Sequence, residues 1–349
     1  MKDLRNSVAA ALFACFCMFC LTACGNSGSS IAGEAADSEA GKLHIVTTIF
    51  PEYDWIREIV GEEAEHVELT LLLDNGVDLH SYQPTAEDIM KIASCDLFVY
   101  VGGESDEWVK DALAEATNED MVVIHLLDVL GDFAKEEELV EGMEAEEDDG
   151  AREEADAVRE GTEETDAEED TEYDEHVWLS LKNAEICVGD ISEVLAGMDA
   201  EHADAYKANA AAYVEKLRKL DAAYETAVQN AGQKTLLFGD RFPFRYLTDD
   251  YGLKYYAAFA GCSAETEASF ETIAFLAGKV DELGLTTVMT IEGTDDAVAE
   301  TIIKNTESKD QKILALDSMQ STTSKDIAEG ETYLSIMQHN LEVLRQAFE

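Results

Sequence analysis

The chain is predicted to fold as an α/β protein of two layered domains, with mostly parallel sheets joined by a long backbone helix. Short β-rich runs alternate with helically spaced segments on both sides of residue 200. Between them Tyr206, Ala210, Tyr213, Leu217, Leu220, Tyr224 and Val228 recur at steps of three and four, which marks one face of a single helix. From Asp132 to Glu175 the chain carries about twenty more acidic than basic residues and few large apolar ones. Such a segment gains too little burial to offset its ordering entropy, so residues 132–175 are expected to form a disordered insert.

Residues 1–23 have the pattern of a signal peptide. Lys2 and Arg5 precede an apolar run, Val8 to Leu21, that is short for a membrane span. The run closes on Leu21-Thr22-Ala23-Cys24, which resembles a bacterial lipobox and nominates Cys24 for lipidation, hence a membrane anchor outside the cell. Residues 24–41 are small, polar and acidic and are expected to act as a flexible tether.

An N-terminal α/β domain is assigned to residues 42–198. Leu43 to Phe50, Val67 to Leu73, Leu97 to Val101 and Met121 to Leu126 are expected strands; Tyr53 to Val60 and the stretch opened by Thr85 are expected helices. The linking helix takes residues 199–231, with Asp199 as its N-cap and Gly232 after its end. It would be about 45 Å long, stiff enough to limit movement between the domains. The C-terminal domain, 232–349, has expected strands at Thr235 to Phe238, Thr287 to Ile291 and Lys312 to Leu316, and a closing amphipathic helix from Glu331 to Phe348. Parallel sheets bind ligands beyond the carboxyl ends of their strands, so the site is expected in the crevice between the domains.

The formal charge of −52 excludes a nucleic-acid partner. Four of the seven cysteines, at 15, 17, 20 and 24, lie in the signal segment. Cys95, Cys187 and Cys262 fit no CxxC spacing and are read as small buried hydrophobes. Four stretches carry groups able to hold a ligand, three at expected strand ends and one where the acidic insert rejoins the fold. They are Gly76 to Thr85 with His80, Asp174 to Ser180 with His176, Gly239 to Phe244 with Asp240 and Arg241, and Leu314 to Ser318 with Asp317. Glu292, after Ile291, is a reserve. His44, His66 and His125, in or before expected strands, and His202 and His339 on helices are read as structural or surface residues.

These stretches resemble the cluster A-I metal-binding receptors that serve zinc and manganese ABC importers. Val46-Thr47-Thr48-Ile49-Phe50-Pro51, the Gly76 to Thr85 loop, Gly102-Gly103 with Glu104 and Trp108, His176-Val177-Trp178, and Tyr206 with Asn209 follow that family's order over nearly the whole mature chain. The resemblance implies a receptor that is not an enzyme, a monomer delivering its cargo to an ABC permease, with one metal in the cleft. It assigns His80, His176 and Asp317 as ligands. Members usually have histidine, sometimes glutamate, at the third position, where this chain has Asp240-Arg241. Arginine stays protonated and offers no lone pair, so Asp240 is the expected ligand and Arg241 is expected to turn to a neighbouring acid. Two imidazoles and one or two carboxylates suit Zn2+, with Mn2+ as the alternative cargo. The acidic insert stands where many zinc members carry a histidine-rich loop. A zinc-dependent hydrolase and a surface adhesin are the rival readings. Because only deprotonated imidazoles bind, metal affinity is expected to fall through the histidine pH range.

Overall fold

Every parallel strand needs a crossover, and the alternation of strands with helices supplies one each time. The computed structural model describes residues 41–144, 172–263 and 267–349, and residues 41–349 form one compact unit. The expected signal peptide, Cys24 and nearly all of the tether lie outside the described residues.

The first half runs β1 (Leu43–Thr47), α1 (Phe50–Val60), β2 (Val67–Leu71), α2 (Ala86–Ser94), β3 (Leu97–Tyr100), α3 (Val109–Ala114), β4 (Val122–His125) and α4 (Leu126–Leu130). Two consecutive helices follow, α5 (Leu181–Met198) and α6 (Ala203–Asn230). The second half runs β5 (Thr235–Phe242), α7 (Arg245–Tyr251), β6 (Lys254–Ala260), α8 (Phe270–Leu283), β7 (Thr287–Ile291), α9 (Ala297–Asn305), β8 (Lys312–Leu316), α10 (Ser324–Glu329) and α11 (Tyr333–Ala347). The sheets have the same parallel topology, β2-β1-β3-β4 and β6-β5-β7-β8. Each central strand, β1 or β5, therefore sends its carboxyl end toward the reversal of strand order where α/β proteins place their ligands.

Local chemistry sets the helix starts. The Glu52 carboxylate accepts from the amides of Thr48 (2.9 Å) and Ile49 (3.2 Å), turning β1 sharply into α1 behind Pro51. Thr85 and Asp88 form a capping box at α2, and Ser180 accepts from Asn183 at the start of α5. The seven apolar positions expected on the linking helix are the buried residues of α6. At about 42 Å, α6 reaches from one sheet to the other. Buried side chains form one continuous cluster from Ile45 and Phe98, through Trp178, Tyr213 and Tyr224, to Phe238, Phe244 and Met337. A second cluster, with Leu237, Leu276 and Val288, lies on the other face of the second sheet.

Several expectations need correction. Asp199 does not cap α6; it ends α5, and His202 is the N-cap residue. One helix was expected between the sheets where two occur, and β6 was not identified. The stretch from Asp132 was expected to be disordered throughout, but its described ends are packed. Glu136 bridges Tyr173, Glu144 bridges Phe259, the Lys135 amide donates to the Tyr246 hydroxyl at 2.9 Å, and Glu138 pairs with Arg245. Composition could not register these partners because all but Tyr173 come from the second half of the chain. The central part, 145–171, lies outside the described residues.

Asp54 ties α1 to α11. It is fully buried, pairs with Arg57, and accepts from the Tyr333 amide at 2.8 Å. Burial pushes its pKa from 3.8 up to about 6, against the opposing pull of Arg57 and the Tyr333 amide. A carboxyl raised in this way binds its proton more tightly in the folded than in the unfolded chain. Its contribution to stability is full below the unfolded pKa and is lost as pH rises through about 6. Asp54→Asn cannot ionise. Relative to this variant, the wild type is expected to lose on the order of 3 kcal/mol of unfolding free energy between pH 4 and pH 7. Urea titrations at both pH values check it; a difference that does not change with pH contradicts it.

Candidate metal centre

His80 is presented by a turn. Gly76 has φ +77°, and a Cβ there would lie 3.2 Å from the Ser321 carbonyl, so the loop needs glycine where it passes the second half of the chain. The Asp78 carboxylate then accepts from the His80 amide at 3.0 Å, and buried Leu79 anchors the turn. His80 Nδ1 lies 2.7 Å from Ser105 Oγ and 3.4 Å from Glu175 Oε2. Burial lowers the pKa of His80, but the hydrogen bond to Glu175 and the charges of Asp78 and Glu175 outweigh it, so the net displacement is upward. Glu175 shows the reciprocal balance: burial raises its pKa, and His80 with Ser105 brings it below the ordinary carboxylate value.

His176 lies just before α5 and is completely buried. Asp174 Oδ1 accepts from its backbone amide at 2.9 Å and from its Nδ1 at 3.0 Å. Trp178 Nε1 donates to the Ser318 carbonyl (2.8 Å), Tyr333 donates to the Trp178 carbonyl (2.7 Å), and Tyr246 donates to the Asp174 carbonyl (2.9 Å). The second half of the chain therefore holds a ligand loop of the first. With carboxylates at both Nδ1 atoms, the protons belong there and the lone pairs lie on Nε2. The two Nε2 atoms face each other at 3.1 Å. Two ligands of a tetrahedral zinc, with bonds of about 2.0 Å, are separated by about 3.3 Å.

The third member of this group is Cys262, in the turn after β6. Ligand atoms of His80, His176 and Cys262 all lie within 4.8 Å of one another. Gly261 permits the approach, because a Cβ there would lie 2.9 Å from both His176 Cε1 and the Phe242 carbonyl. Burial, with Glu175 and Asp174 nearby, raises the thiol pKa, so a cation is needed to favour the thiolate. Sequence reasoning assigned Cys262 to the core. No spacing motif marks it, and its place at a strand's carboxyl end was hidden because β6 itself was not identified. Cys95 and Cys187 are buried free thiols, as expected.

The expected carboxylates are placed differently, and the group does not include Asp240, Asp317 or Glu292. Gly239 packs on α9, where a Cβ would lie 2.5 Å from Ala299 Cα, and the β5–β6 register shifts between Phe238 and Arg241. At this irregularity Asp240 accepts from the amides of Arg241 (2.8 Å) and Ile291 (3.2 Å), closing β5 onto β7. Arg241 does turn to an acid: Nη2 donates to Asp78 at 2.9 Å, linking β5 to the His80 loop. Asp317 accepts from the Met319 amide at 2.8 Å. Glu292 accepts from the Ser318 amide (2.7 Å) and hydroxyl (2.8 Å), and burial together with the Asp317 charge pushes its pKa up to about 7.

Comparison with known proteins agrees with this architecture. The chain is 32% identical over 335 residues to the zinc-binding lipoprotein AdcA of Streptococcus pneumoniae, covering 96% of this chain and 60% of that protein. It thus spans less than two thirds of the length of that relative. It is 29% identical over 331 residues to the high-affinity zinc uptake system protein ZnuA of Bacillus subtilis, covering 95% of this chain and 94% of that one. The Zn(II)-bound ZnuA-like domain of Streptococcus pneumoniae AdcA superposes with a TM-score of 0.65 at 29% identity, over 88% of this chain and 99% of that domain. The profile of the ZnuA family, zinc-uptake complex component A periplasmic, matches residues 45–347, and the chain belongs to that family.

Proposed function

We propose that this chain is a zinc receptor outside the cell, anchored through Cys24, that acts as a monomer, binds rather than transforms its cargo, and delivers it to an ABC permease. The observation that carries the reading is the facing pair of Nε2 atoms, 3.1 Å apart, each ring backed at Nδ1 by a buried carboxylate. Carboxylate–imidazole–metal arrangements of this kind fix the tautomer and raise ligand basicity. Cys262 is taken as the third donor because it lies with the two imidazoles, whereas both oxygens of Asp240 and Oδ1 of Asp317 accept from backbone amides. Two nitrogens and a sulfur favour zinc over manganese, which prefers oxygen. Arg241 stands where relatives commonly place a ligand; here it closes the cleft electrostatically through Asp78.

Competitive zinc and manganese titration of the purified chain and its His80→Ala, His176→Ala double variant tests the reading. One tightly held zinc is expected, preferred over manganese and lost in the double variant; equal retention by both proteins defeats the proposal. Asp174→Asn is expected to weaken zinc binding by about 10–100-fold, since it removes the orienting partner of His176 without touching the metal. Cys262→Ala separates the donor sets. It is expected to weaken zinc more than manganese, whereas a loss of zinc on Asp240→Ala or Asp317→Ala, with Cys262→Ala silent, returns the third ligand to a carboxylate.

A further inference from the structure

A second group of metal-binding side chains lies where β2 begins, whereas His80 follows that strand's other end. Glu63 and His66 belong to the short 3-10 turn Gly61–His66 that leads into β2, and His202 begins α6. Ligand atoms of these three residues lie within 4.8 Å of one another. The rings of His66 and His202 stack with centroids 4.4 Å apart at 22°.

The surroundings of His202 are those of an oriented ligand. Its Nδ1 is 2.7 Å from Asp199 Oδ2, and the same carboxylate oxygen accepts from Tyr206 Oη at 2.9 Å. Nδ1 is thus directed at Asp199, and Nε2 faces Glu63 Oε2, 3.5 Å away. A histidine gains nothing from the dipole at a helix N-terminus, so capping does not explain its position. The turn that carries Glu63 and His66 is itself fixed to α6. Asn209 Nδ2 donates to the Ile59 carbonyl at 3.0 Å, and it fills the space a Cβ on Gly61 would need, at 2.6 Å.

We infer that Glu63, His66 and His202 form a second site for a divalent cation of the zinc class. Two imidazole nitrogens and one carboxylate oxygen make a three-donor set that water completes to four. His66 is exposed, and loading the site requires its ring to turn out of the stack so that a nitrogen faces the ion. The half-exposed position and the missing fourth protein ligand make this site weaker than an enclosed one, and loading it staples the β2 lead-in to the start of α6.

The test uses the full-length chain in detergent with His80→Ala and His176→Ala in place, so it does not depend on what the cleft binds. Isothermal titration with zinc chloride is expected to show one equivalent of zinc that disappears when His66→Ala and His202→Ala are added. Asp199→Asn is expected to weaken that equivalent by about 10–100-fold. Absence of zinc binding in the His80→Ala, His176→Ala chain overturns the inference. So does binding that persists unchanged after both further substitutions, which would assign it to the acidic segments. His66→Gln alone, at an exposed position where folding is not at risk, must also reduce the binding; retention at full strength overturns the inference as well.

Discussion

Asp174, Glu175 and His176 are three consecutive residues, each at most 3% exposed, and two of them are acids. Burying a carboxylate costs several kcal/mol unless its oxygens are hydrogen-bonded or paired. Here the compensation comes from far along the chain. The Ser105 amide donates to Glu175 at 2.7 Å, the His176 amide and ring serve Asp174, and His80 stands beside Glu175. Asp106 and Gly103 extend the same arrangement. The Gly102 amide donates to Asp106 at 2.8 Å, and a Cβ on Gly103 would collide with the Glu175 carboxylate. Burial, with the Glu175 charge adding to it, pushes the Asp106 pKa up to about 7. Negative charge is thus concentrated behind two imidazoles in a region closed to water, and a cation at their front edge is the simplest way to balance it.

The two sheets provide the frame for that balance. β1 and β5 occupy equivalent central positions, and Arg241 near the end of β5 reaches Asp78 in the loop after β2. The continuous apolar cluster runs from the first half into the second, with residues of α6 within it. The Gly76–Thr85 loop is held by Arg241 and by the packing of Gly76 on Ser321, both from the other half.

The sequence disclosed what depends on local pattern. The buried face of α6, the helix opened by Thr85, and the strands at Thr287–Ile291 and Lys312–Leu316 all follow from periodicity, and each is observed. His80 and His176, which the family resemblance singled out, lie with their Nε2 atoms 3.1 Å apart. Cys262 was not singled out, since its meaning depends on β6 pairing with β5 and on Gly261 passing under His176. Asp240 and Asp317 were assigned from their positions at strand ends. Position alone does not reveal which carboxylates the backbone amides have already claimed. Asp199 fails as a cap for a related reason: its side chain was free, in sequence terms, to serve α6, but the His202 ring and Tyr206 hydroxyl share one of its oxygens.

The two histidine clusters use one device in different settings. Asp174 holds His176 from two residues upstream and Asp199 holds His202 from three, each through Nδ1, so that Nε2 faces the other donors. What separates them is the dielectric. At the cleft the imidazole is fully buried and a thiol lies among the donors, so the Coulomb attraction for a cation is little screened. At the start of α6 the ring stack lies half in water, and solvent competes for the same positions. If both proposed sites load, this difference separates their affinities without any change in the imidazole chemistry, because burial and the third donor set the strength while the aspartate sets the aim.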